Sequence, residues 1–199
     1  CGTMSSSRTP WFAWLTLGAA VIAVSSAGAV FQLIDDVPPL LRASWRLQVT
    51  CLVLLPGFIY QFRRMNIEDK SSFERLGERQ VVLSLIASGV CLWIHFGSWV
   101  WSLDHTSLTH SLLFVTAHPL VIVVGLIALG RPIGGKQTLG AIVGFVGAAI
   151  TLLGFTNEGD VTLIGDLAAF IGAVAIVGYL VVGRTLRSWV PLFVYAFPV

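Results

Sequence analysis

The chain has 199 residues, of which 56% are hydrophobic and 11% charged, and its net charge is +2. A soluble domain carries about 25% charged residues, so this composition excludes an ordinary water-soluble globule and places the chain in a lipid bilayer. So small a net charge also excludes a basic nucleic-acid surface, and no nucleic-acid-binding module is present.

Apolar runs occupy residues 11–34, 40–62, 81–103, 109–130, 138–156 and 163–183, and a shorter run, 189–199, closes the chain. Each of the six complete runs has the length, about 20 residues, that carries a helix across about 30 Å of hydrocarbon. They do not alternate with the period of two expected of barrel strands, and a spanning backbone must satisfy its own hydrogen bonds. The predicted fold is all-α, a polytopic bundle of transmembrane helices.

The first run follows Arg8, and its Ala27-Gly28-Ala29 imitates a signal-peptide cleavage site. Hydrophobicity continues through Val30, Phe31, Leu33 and Ile34, which predicts a retained helix. Asp35-Asp36-Val37-Pro38-Pro39 is a turn between helices. The second run carries Arg42 and Arg46, four apart and so on one face. Arg42 is expected to snorkel to the headgroups. Arg46 lies deeper. It is either an anion anchor in a central cavity, or a group that snorkels outward or pairs with Asp35 or Asp36. Residues 63–80 hold five basic and four acidic side chains. They predict a solvated linker with a short amphipathic helix around Phe73–Leu76.

In the third run His95, Ser98, Trp99 and Ser102 share one polar and aromatic face. That face suits a water-accessible cavity with a titratable group; the alternative is a neutral, hydrogen-bonded packing histidine. His105 and His110 are expected to be solvated. In the fourth run His118 precedes Pro119. Proline frees a carbonyl and kinks the helix, and freed backbone groups line cavities in transporters. Gly134-Gly135 and Asn157-Glu158-Gly159-Asp160 are turns on opposite sides of the fifth run. Gly140, Gly144 and Ala148, and Ala168 with Gly172, form small-residue faces for helix packing, intramolecular or in a homodimer. Cys51 and Cys91 read as small buried hydrophobes. No metal-ligand or disulfide spacing is present, and no cofactor is predicted.

Between the runs, Lys and Arg alternate strictly. The tail has Arg8, the first loop none, the second Arg63, Arg64, Lys70, Arg75 and Arg79, and the third none. Arg131 and Lys136 follow, then an empty loop, then Arg184 and Arg187. This positive-inside pattern predicts a cytoplasmic N-terminus. Five helices make an odd unit, so a second copy inserts in the opposite sense, as in many secondary transporters. The expected units are residues 11–156 and the start of a second repeat at 163–199. The chain starts at Cys1 and ends within a half-length run, which predicts a piece of a longer protein.

Several short motifs point to a family. Leu103-Asp104-His105-Thr106-Ser107-Leu108, then Pro119, Leu129-Gly130, Gln137-Thr138-Leu139-Gly140, Gly147 and Leu152-Leu153-Gly154 resemble the fourth and fifth helices of an EamA domain of the drug/metabolite transporter superfamily. Arg46 stands where that family often has an arginine, and Gly165-Asp166-Leu167 resembles the opening of its second domain. Arg131 departs from the glutamate common after the Leu-Gly pair. The resemblance implies ten helices in two five-helix repeats, with both termini cytoplasmic.

No zinc-protease, nucleophile-elbow or phosphate-loop motif is present, so the chain reads as a non-enzyme. The predicted function is secondary transport of a small metabolite by alternating access, with Arg46, His95, Trp99, His118 and Pro119 about the cavity. Its partners would be that substrate, the bilayer and a coupling ion. The alternative is a non-transporting membrane scaffold or sensor on the same fold.

Overall fold

The structure, a computed structural model, describes residues 11–34, 36–154 and 161–199, without the side chains of Gln32, Ala148 and residues 151–154. Arg8, Asp35, the Ala148 side chain and the Asn157–Asp160 turn lie outside the described residues. The helices in chain order are α1 (Trp11–Gln32), α2 (Pro39–Glu68), α3 (Lys70–Leu76), α4 (Arg79–Leu103) and α5 (Leu108–Val115). They continue as α6 (His118–Ala128), α7 (Gly135–Gly154), α8 (Leu163–Leu186) and α9 (Leu192–Ala196). No strand occurs among the described residues, so the chain is all-α.

Among the described residues four stretches are long and apolar enough to cross a membrane: Trp11–Phe31, Arg79–Leu103, Leu108–Ala128 and Leu163–Leu186. The third combines α5 and α6. The second run is helical too, but Arg42, Arg46, Gln48 and Gln61 dilute its hydropathy. Its helix begins with Pro39 in the first turn, where the missing N–H has no intrahelical use. Side chains cap three other helices. Asp69 Oδ1 accepts from Ser72 N at 3.1 Å, Ser107 Oγ from His110 N at 3.3 Å, and Thr162 Oγ1 from Gly165 N at 3.2 Å.

The 63–80 segment is helical over most of its length. α2 runs through Pro56 to Glu68, and α3 follows after Asp69. Apolar residues hidden among the charges explain this. Phe62 packs edge-on to Phe73 with ring centroids 5.0 Å apart, and the Arg75 guanidinium covers Trp189 at 4.6 Å. Phe73 and Leu76 pack on a buried cluster of Met65, Val81, Leu186, Val190, Val194 and Tyr195.

A second cluster holds Phe31, Ala43, Trp99, Val100, Leu103, Val115 and Ala169. α4 joins the two, with Val81 in its first turn and Leu103 in its last, about 33 Å apart at 1.5 Å per residue. α8 runs against α4 over the same length and forms the most extensive helix pair. Gly172 makes this approach close: a Cβ there would lie 3.0 Å from Ser98 Oγ and 3.2 Å from the His95 carbonyl oxygen. At Gly140 and Gly144 an added Cβ would meet no described atom within 4 Å, and α7 lies at the edge of the bundle with Ile142, Val143 and Val146 exposed. Cys51 is exposed, contrary to expectation, and Cys91 is half-buried.

α1 docks through its last turns. Phe31 and Gly28 are buried, and Leu108 lies within 3.1 Å of a Cβ placed on Gly28. Trp11, Trp14 and Ile22 are exposed.

Candidate functional site

Arg46 lies seven residues into α2, about 10 Å along its axis. Its guanidinium sits among three aromatic rings, with Cζ 4.7 Å from the Phe96 centroid, 5.7 Å from Trp99 and 5.8 Å from Phe31. Phe31 and Trp99 pack edge to face at 5.9 Å. Each ring offers its negative face to the cation. Arg46 Nη1 and Trp99 Nε1 are both buried without a protein acceptor. Arg46 and Arg42 line a cavity of about 480 Å³ between α1 and α2, walled by Ala27, Val30, Phe31, Trp45 and Val49.

His95 lies beside this cluster on α4. Its Nδ1–H donates to the Gly172 carbonyl at 2.8 Å. A carbonyl only accepts, so this bond fixes the hydrogen on Nδ1 and leaves Nε2 as the free ring nitrogen. His118 opens α6 after a break at Thr116–Ala117. Pro119 has no N–H for the Val115 carbonyl, and its ring crowds that turn. The interruption therefore falls just before the His118–Pro119 pair. His118 is half-buried and Pro119 exposed. Arg46 and Trp99 are thus neighbours with His95 beside them on α4, while His118 and Pro119 stand at the break that opens α6.

Three expectations are corrected at the end of the bundle nearest Arg42. Arg42 does not snorkel. It is 2% exposed, donates to the Phe31 carbonyl at 2.7 Å and forms an ion pair with Asp104. That pair ties α1, α2 and the end of α4 together. His110 is buried, not solvated. Its Nδ1–H donates to Asp166 Oδ2 at 3.0 Å, and Thr106 Oγ1 donates to Asp166 Oδ1 at 2.7 Å. His105 stacks on Trp101 with centroids 3.6 Å apart, and its carbonyl accepts from Thr162 Oγ1. Ser102, placed by spacing on the His95 face, is buried against Ser111 instead, with the hydroxyls 2.6 Å apart.

Sequence reasoning missed Phe31 and Phe96 as walls of the Arg46 site. Phe96 stands three residues before Trp99 and so shares its face, a signal that was available. Asp104 and Asp166 were missed as partners because the counted charges were Lys and Arg, yet an acid at the start of an apolar run is itself unusual. Among the described residues no group of three or more His, Cys, Asp or Glu could hold a metal ion.

The sequence model of the EamA-like transporter family matches residues 10–153, well over half of the chain. The chain belongs to the EamA-like transporter family. It is an integral membrane protein, and its helical bundle is that of a membrane transporter. No curated protein and no solved structure shows a significant match to this EamA-like chain.

Proposed function

We propose that this EamA-like protein is a secondary transporter that moves a small metabolite by alternating access. One observation carries the reading. A cation from α2 and an indole from α4 meet beside the His95 imidazole of α4, with His118 at the α5–α6 break. Polar groups at membrane depth are costly and are kept where they serve a pathway. The sequence has no nucleotide-binding motif, so the driving force would be a coupling ion or exchange. Residues 11–156 would form the first repeat and 163–199 the start of an inverted second one, with the N-terminus cytoplasmic. In that orientation the Arg42–Asp104 and His110–Asp166 contacts form the external closure. They join α1, α2, α4, α5 and α8 and would part when the site opens outward.

The test is uptake of a broad panel of labelled metabolites by vesicles containing the purified protein. Uptake above protein-free vesicles is the expected result, and loss of most uptake in His118→Ala with stability changed by less than about 0.5 kcal/mol. No uptake of any solute by the wild-type protein would transfer the fold to the scaffold or sensor alternative.

A further inference from the structure

We infer that the Arg46 cavity takes the anionic group of its ligand, a carboxylate or phosphate carried on an apolar body. The inference rests on the cavity being the substrate site and names what that substrate must present.

The two arginines of α2 make the comparison. Arg42 shows how this bundle treats a buried guanidinium: a carboxylate from Asp104 and a carbonyl from Phe31 take both of its terminal nitrogens, and only Nε is left without a partner. Among the described residues Arg46, one turn deeper, meets three aromatic rings and no acceptor at Nη1. Cation–π contact balances charge above a ring, but it does not accept the N–H groups in the guanidinium plane. Nη1 is buried without a protein acceptor, and so is the neighbouring indole Nε1–H of Trp99. Both groups are donors only. A ligand that satisfies them must bring acceptors, and against a guanidinium an anion does so best, because carboxylate and phosphate oxygens match the fork. Among the described residues, Asp104 is paired with Arg42, and Asp166 is held by Thr106 and His110. The remaining walls are mostly apolar, Ala27, Val30, Ile34 and Val49 among them, with Ser26 and Thr50 as the hydroxyl-bearing exceptions. They ask for an apolar body, and about 480 Å³ is the volume of a small-molecule site.

Isothermal titration of the full-length protein in a neutral detergent tests this, using sodium benzoate against benzamide, which has the same shape without the charge. Benzoate should bind at least about tenfold more tightly, since a hydrogen bond to a charged group contributes about 1.5–3 kcal/mol. Arg46→Gln should abolish the preference. Arg46→Lys, which keeps the charge but not the fork, should retain part of it, and Trp99→Phe should weaken benzoate alone. Inorganic phosphate should compete with benzoate. In vesicles of phosphatidylcholine with added phosphatidylglycerol, competition by the lipid assigns the anion to a headgroup, and its absence assigns it to a soluble metabolite. Equal affinity for benzoate and benzamide, or an unchanged preference in Arg46→Gln, overturns the inference. Benzoate binding without transport of any solute removes the transport reading and leaves the anion site. Uptake of an uncharged solute with no benzoate preference does the reverse.

Discussion

Arg42 and Arg46 occupy the same face of α2, and a single turn decides whether the side chain meets a carboxylate or a set of rings. Removing one member of a buried ion pair strands the other charge and costs about 3–5 kcal/mol, whereas removing both at once is far milder. Asp104→Ala should therefore lower the thermal unfolding temperature of the purified protein markedly, and Arg42→Met with Asp104→Leu should restore most of it. Equal losses in the single and double variants would show that the pair is not what holds α1, α2 and α4 together. The depth of Arg46 and the shared face of His95 and Trp99 were legible, because both follow from counting residues along a helix. The fate of Arg42 was not. Its partner lies 62 residues away in sequence, and the partner of His110 lies 56 away. Depth in a run measures distance to the membrane surface and says nothing about which neighbour arrives from another helix.

Helix identity was legible nearly everywhere, since runs of this length and composition have one solution in lipid. In residues 63–80 the short helix around Phe73–Leu76 was legible, but the extension of α2 to Glu68 was not, because charge density dominated the reading while Phe62, Met65, Phe73 and Leu76 set the packing. Two glycines test how helices meet. Gly172→Val would force the α4–α8 contact apart and should cost about 1–3 kcal/mol of stability by thermal unfolding. Gly140→Val, on the uncovered face of α7, should leave stability unchanged; reduced self-association in that variant, read by cross-linking in vesicles, would assign the face to a homodimer. At α3 the relevant group is Asp69, which is fully exposed. Hydrogen bonds from Ser72, and then from Ser71, hold its carboxyl below the usual carboxylate range. A depressed folded value means that its capping contribution is complete above about pH 4 and fades as pH falls through that lower value. α3 should fray in acid, seen as faster amide exchange after correction for the intrinsic rate. In Asp69→Ala it should be frayed at every pH.

For the whole molecule, the two buried clusters at opposite ends of α4 coincide with the alternation of basic and uncharged loops. The Met65 and Leu186 end carries Arg63, Arg64, Lys70, Arg75 and Arg187, while the segment from Asp104 to His110 has no Lys or Arg. Labelling of single cysteines in intact cells should find Lys70→Cys protected and Ser107→Cys accessible from outside; the opposite result would invert the proposed orientation. α1 adds a mechanical consequence. It is fastened at Gly28 and Phe31, and the Arg42 bond to the Phe31 carbonyl reinforces that end, while Trp11 and Trp14 touch little else. A rod clamped at one end is a lever. From Phe31 to Trp11 the arm is about 30 Å long, so a swing of about 10° at the clamp carries the far end about 5 Å sideways, the width of an aromatic ring. The Arg46 cavity lies between this arm and α2, so such a swing would open its side wall toward the lipid. Spin labels at Trp14 and Leu52 would read the swing as a broad distance distribution, and a single narrow distance would mean that the arm is held.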